Sequence, residues 1–154
     1  MRTERLYRPG SAAGSACVPY SRPVVRVYLV RHAEALPGQP DDLRPLSPAG
    51  AEQARLLAER LASVSPSVVL SSPLLRARET AAAIAKAADA ELVIDERLAP
   101  GASVASLLAA VEGRAAPVVV VGHQPDCGEI VAGLRGGEPP AYPPAGVEEL
   151  DLPL

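Results

Sequence analysis

This chain contains only two histidines, and each stands at the end of a strand-like run. His32 follows Val24-Val25-Arg26-Val27-Tyr28-Leu29-Val30-Arg31, and His123 follows Val118-Val119-Val120-Val121-Gly122. Arg31 arrives with His32, so one strand end delivers a guanidinium and an imidazole together. A further cation stands in Ser72-Pro73-Leu74-Leu75-Arg76-Ala77-Arg78-Glu79-Thr80, where Arg76 falls in the first turn of an expected helix. A cation there opposes the helix macrodipole. The position makes sense if an anion sits between the guanidinium and the free backbone N–H groups of that turn. Arginine matches phosphate oxygens bidentately and keeps its charge, while imidazole can donate, accept or attack. Together, Arg31, His32, Arg76 and His123 would make a phosphate site with a histidine available as nucleophile.

Those residues meet only if the strand ends are brought together. Val24–Val30 is β-branched and nearly continuous in apolar character, the pattern of a buried parallel strand. After a loop rich in Pro and Asp, Leu36–Leu46, the pair Ser47-Pro48 gives an N-cap and a first-position proline. Glu52, Leu56, Leu57, Arg60 and Leu61 carry that helix to about Ala62. Ser67–Leu70 predicts a short second strand. Ser71-Ser72-Pro73 predicts a cap and first-turn proline for a helix reaching about Ala88, and Leu92–Ile94 a third strand. Ser103 is expected to cap a helix over Val104–Glu112. Val118–Val121 is the strongest strand signal, Asp126–Leu134 reads as a helix and Val147–Leu152 as a closing strand. Strands alternating with helices predict a three-layer α/β/α sandwich with a mostly parallel central sheet. The strand-to-helix loops of such a sheet emerge along one edge, where open α/β folds place their ligands.

With 154 residues the chain has the length of one domain, expected over residues 24–154. Residues 1–23 are rich in Arg, Ser, Gly, Ala and Pro without periodicity and read as a flexible leader. The net charge of −3 and an isoelectric point near 5.4 remove the electrostatic case for nucleic acid or an anionic membrane as partner. No apolar run reaches the roughly 18 residues of a membrane-spanning helix. The N-terminal stretch has arginines but no apolar segment of a secretory signal, so a soluble, cytoplasmic protein is expected. Cys17 and Cys127 form no CxxC pair and no Cys/His cluster, so neither a zinc site nor a disulfide framework is indicated. The excess of fourteen arginines over one lysine accompanies a general richness in alanine and carries no function by itself.

In the order of its motifs the chain resembles the histidine phosphatase (phosphoglycerate mutase-like) superfamily. The Arg-His-Gly motif stands here as Arg31-His32-Ala33. Closest in pattern are the small SixA-type phosphohistidine phosphatases, matched by Arg44-Pro45-Leu46-Ser47-Pro48-Ala49-Gly50, by Ser72 to Thr80, and by Gly122-His123-Gln124-Pro125. Roughly Val24 to Leu152 is covered. The departure is Ala33 where the motif has glycine, which is tolerable if the local φ is negative. The resemblance implies metal-independent phosphatase chemistry without a cofactor. His32 would be the nucleophile and become a phosphohistidine, while Arg31, Arg76 and His123 would bind the three non-bridging oxygens. For that task His123 must be protonated or present an N–H.

The proton donor is less clearly marked. Larger members of the family carry a glutamate on an insertion for which this chain has no room. Glu34 is the first candidate for an acid or water activator, and Glu96 the second; either reads equally as a surface carboxylate. If neither serves, a phosphoramidate substrate is favoured, because its basic leaving nitrogen can depart already protonated, whereas a sugar alkoxide needs an acid. Of the remaining residues, Ser72 and Asp126 are expected to cap helices, Arg78 to face away from the phosphate, Arg44 to bind the site loop or face solvent, and Cys127 to be buried. Three readings stand. They are a phosphatase of protein phosphohistidine, a small-molecule phosphomonoesterase of the same superfamily, and a catalytically silent phosphate- or phosphoprotein-binding module. The corresponding partners are a phosphorylated protein or a small phosphorylated metabolite.

Overall fold

The computed structural model describes residues 23–153; Cys17 and nearly all of the expected leader lie outside the described residues. Among these residues five strands form one sheet: β1 (Val24–Arg31), β2 (Val68–Ser71), β3 (Glu91–Ile94), β4 (Val118–Gly122) and β5 (Val147–Pro153). Their order is β3-β2-β4-β1-β5, and every pairing is parallel except that of β5 with β1. Four α-helices among the described residues cover it: α1 (Pro48–Ala62), α2 (Leu75–Ala88), α3 (Val104–Val111) and α4 (Asp126–Arg135).

The strands alternate their side chains between two apolar layers, as the pleat requires. All four valines of Val118–Val121 are fully buried. Val118 and Val120 face Leu107 and Val111 of α3 and Ile130 and Val131 of α4. Val119 and Val121 face Leu57 and Leu61 of α1 and Ile84 of α2. A central strand buried on both faces reads as the continuous apolar run that the sequence shows, and the result is the three-layer sandwich with a mostly parallel sheet.

Register is what delivers the strand-end residues to one place. Arg31 pairs with Gly122, and Ser71 with Val121. The ladder then runs one step past the strands: His32 N donates to Gly122 O at 3.0 Å, and Ser72 N to Val121 O at 3.0 Å. The first residues of the loops after β1 and β2 are therefore fixed against β4 by backbone hydrogen bonds before any side chain is considered.

Helix starts differ in part from expectation. Ser47 caps α1 as its Ser-Pro pair predicts, its side chain accepting from Gly50 N at 2.9 Å. Ser103 caps α3 with a reciprocal bond to Ser106. Ser72 is not the cap of α2: that helix begins at Leu75, behind an N-cap, Leu74, that makes no side-chain bond. Nor does Asp126 cap α4, whose N-cap is Pro125. Its buried carboxylate instead accepts from Gly101 N and Ala102 N, at 2.8 and 3.2 Å, holding the loop before α3. Asp126 takes its partners from a neighbouring loop in place of its own helix, and Ser72 Oγ, besides accepting from Leu74 N just before α2, lies against His123 of the loop after β4; local sequence encodes neither long-range choice.

Candidate active site

Beyond β1 the chain turns under α1 and α2, and two hydrogen bonds set the loop that follows His32. Ala33 N donates to Thr80 Oγ1 at 3.0 Å, and Thr80 Oγ1 donates to Arg76 O one helical turn back at 2.9 Å. The Arg76 and Thr80 spacing thus ties the His32 loop to the helix that carries Arg76. Ala33 is fully buried and is not among the residues with positive φ, so alanine is unstrained where the motif has glycine. Gly50 is demanded more strictly, since a Cβ there would lie 1.9 Å from the Glu34 carbonyl oxygen.

The His32 ring is oriented by its own backbone. Nδ1 lies 2.7 Å from Ala33 O. A carbonyl only accepts, so Nδ1 carries the ring proton and the neutral ring keeps its lone pair on Nε2. Arg76 Nε donates to that lone pair at 3.2 Å. Burial pushes the His32 pKa down to about 4; the Ala33 bond opposes the shift, and the charges of Arg76, Arg31 and Arg44 add to it. Nε2 is therefore unprotonated at neutral pH, as a nucleophile requires.

His123 lies across from His32, with ring centroids 5.2 Å apart and the rings tilted by 60°. It is nearly fully buried. Its Nε2 lies 2.7 Å from Ser72 Oγ, while its Nδ1 is buried without a partner. Burial, followed by the proximity of His32 and Arg76, pushes its pKa down to about 4. Arg31 donates a terminal N–H to Tyr142 O at 2.8 Å, and its Nε is likewise buried without a partner. Tyr142 is itself fixed, its hydroxyl donating to Leu29 O at 3.0 Å. Arg76, also buried, turns its terminal nitrogens to Asp41, on the 3-10 turn Asp41–Leu43 of the loop after β1. The structure thus brings Arg76, His32 and His123 together, with Arg31 immediately beside His32.

The other predicted positions fall elsewhere. Glu34 is exposed, and its carboxylate accepts from Ser47 Oγ at 2.6 Å at the start of α1. Glu96 is exposed on the 3-10 turn Glu96–Leu98, and its carboxylate accepts no hydrogen bond among the described residues. Arg44 binds the loop, through Leu36 O at 2.7 Å and Asp41 Oδ1 at 3.0 Å. Cys127 is fully buried, and burial holds its thiol up at about 12, leaving it protonated and unreactive at neutral pH. Sequence reasoning missed Asp41, whose one local signal is its position three residues before Arg44, and Ser72 as a partner of His123.

A family model described as histidine phosphatase superfamily (branch 1) matches residues 27–100. The structure of the protein histidine phosphatase SixA complexed with tungstate is 30% identical, with a TM-score of 0.72, over 81% of this chain and 86% of that one. A second structure bearing the SixA name, from Agrobacterium tumefaciens, is 29% identical with a TM-score of 0.72, over 82% of this chain and 91% of that one. The GpmB protein of Photorhabdus laumondii subsp. laumondii, named a probable phosphoglycerate mutase, is 40% identical over 82 residues. That match takes in 49% of this chain and only 37% of GpmB, so the chain spans little more than a third of that relative. No helix among the described residues is long and apolar enough to cross a membrane.

Proposed function

The chain belongs to the histidine phosphatase superfamily, and on that premise we propose that it is a phosphatase in which Nε2 of His32 attacks phosphorus and carries the phosphoryl group as a covalent intermediate. The observation that carries this reading is the pairing of a proton fixed on Nδ1 by Ala33 O with a guanidinium N–H aimed at the free lone pair of Nε2. A phosphoryl group entering there takes its non-bridging oxygens to Arg76, Arg31 and His123. Developing charge on those oxygens is what phosphoryl-transfer sites chiefly stabilise.

His123 serves this role without being protonated. Ser72 Oγ already accepts from Leu74 N at 3.2 Å, and with its own hydrogen donated to His123 Nε2 the ring proton resides on Nδ1. That nitrogen is the buried one without a partner. An unmade buried hydrogen bond costs about 1–3 kcal/mol, so an oxyanion that accepts from Nδ1 recovers stabilisation only when bound. The same holds for Arg31 Nε.

The favoured substrate is a phosphoramidate, above all protein phosphohistidine. Among the described residues the carboxylate bonded to the site arginines is that of Asp41, and those arginines hold it below the usual carboxylate range. It has no proton to give to an alkoxide at neutral pH. A basic leaving nitrogen departs already protonated and needs no such donor. The test compares, in chelator-treated protein, hydrolysis of a phosphohistidine-bearing protein with that of a panel of phosphomonoesters. Preference for the phosphoramidate supports the reading, faster ester cleavage transfers it to a small-molecule phosphomonoesterase, and phosphate binding without turnover of either leaves a binding module.

A further inference from the structure

The 3-10 turn Asp41–Leu43 lays one residue across the outer side of Arg76. Asp41 meets that guanidinium twice: its backbone oxygen accepts from one terminal nitrogen at 2.8 Å, and its Oδ2 from the other at 3.2 Å. Its Oδ1 accepts from Arg44 at 3.0 Å, and Arg44 is anchored in turn on Leu36 O. The Asp41 side chain is 57% exposed and that of Arg76 only 9%, so the carboxylate stands at the mouth with the guanidinium between it and His32. The opposite nitrogen of the same guanidinium, Nε, touches His32 Nε2. One guanidinium therefore separates an accessible carboxylate from the atom that would carry phosphorus. Its tether does not depend on the carboxylate, because the backbone oxygen supplies one of the two bonds to Arg76.

Resting on the covalent reading above, we propose that Asp41 is the general base of the second half-reaction, accepting the proton of the water that attacks the phosphohistidine on His32. Phosphoryl oxygens on Nε2 take up the Arg76 N–H otherwise given to Oδ2, which frees that oxygen while the backbone bond holds the turn in place. The water O–P bond forms as the P–Nε2 bond breaks. The electron pair of the broken bond returns to Nε2, the water proton passes to Oδ2, and solvent later removes it. The hydrogen bond from Arg44 and the charge of Arg76 keep the carboxyl ionised, so it can accept a proton at neutral pH and has none to donate. This asymmetry suits the second step and not the first.

p-Nitrophenyl phosphate separates the steps, because nitrophenolate leaves without an acid. Its first-turnover release reads phosphorylation of His32, and its steady rate, with base-quenched labelling of the protein, reads hydrolysis of the phosphoenzyme. In Asp41→Asn, which preserves the backbone contact, the first-turnover release persists. The steady rate falls about 10²-fold, the lower end for a general base, and labelled protein accumulates. Formate restores part of the steady rate in Asp41→Ala, which a purely structural role would not allow. Asp42→Asn, the exposed neighbour, changes neither phase. An unchanged steady rate in Asp41→Asn, or a loss confined to the first turnover, overturns the base assignment and leaves the covalent reading intact. A wild-type protein that never becomes labelled overturns the covalent reading, and the base with it.

Discussion

The ends of β1 and β4 carry the same residue type at the same height of the sheet, each one position beyond the paired Arg31 and Gly122. Their imidazoles are nevertheless wired in opposite senses. His32 spends Nδ1 on the carbonyl of its own neighbour and turns Nε2 toward Arg76. His123 spends Nε2 on Ser72, a residue of the adjacent β2 loop, and leaves Nδ1 without a partner. The first arrangement exposes a lone pair and the second, on the tautomer proposed above, a donor. On the proposed mechanism, what distinguishes the attacking ring from the anion-holding one is therefore which nitrogen the surrounding groups occupy, the Ala33 carbonyl in one case and the Ser72 hydroxyl in the other, and not the residue or its strand context.

The comparison breaks most visibly by removing each ring in turn. His32→Ala should lose turnover to background, about 10⁴-fold or more, together with all covalent labelling; turnover that survived in this variant would remove His32 from the nucleophile's place. His123→Ala should cost about 10²–10³ in kcat, the effect of one lost oxyanion donor, while labelling on His32 persists. Equal losses in the two variants would erase the division of roles. Ser72→Ala sharpens the contrast further, since besides its bond from Leu74 N it removes only the contact with the nitrogen that His123 turns away from phosphate. Loss of one hydrogen bond, about 1 kcal/mol, predicts a roughly fivefold fall in kcat/KM, with the His32 imidazole resonances unmoved in the NMR spectrum.

How far this wiring could be read beforehand follows from the range of the interactions involved. The β1 and β4 strands were legible because burial on both faces writes an uninterrupted apolar run, and α1 because Ser47-Pro48 marks its start within three residues of the bond it makes. The convergence of Arg31, Arg76 and the two histidines was legible because parallel strands put their loops on one edge. Ser72, Asp126 and Asp41 were not. Each acts through a partner on a different loop or helix, 51, 25 and 35 residues away in sequence, and no periodicity or cap pattern reports such a pair. Glu34 is adjacent to the site in sequence, yet its carboxylate meets the start of α1, because the tight fit of Gly50 against its carbonyl brings Ser47 to it.

The smallest effect is the most discriminating, and it concerns protons. Both histidines ordinarily titrate near 6.5 and are pushed down to about 4 in the folded protein, chiefly by burial. As pH falls through 6.5 the unfolded chain takes up protons at these positions and the folded chain does not, so stability should decline from 6.5 toward 4 and level off below. In the free protein neither imidazole resonance should move between pH 8 and about 5. A bound tetrahedral oxyanion such as tungstate should then separate the two rings. A doubly protonated His123 has an acceptor for each donor, Ser72 Oγ for Nε2 and the anion for Nδ1. A doubly protonated His32 would set its Nε2–H against the Nε–H of Arg76, donor against donor. The anion should therefore raise the His123 titration toward neutrality and leave His32 behind, an outcome that histidine-selective NMR reads directly. Were His32 to protonate first, the assignment of attacking and holding rings would have to be exchanged.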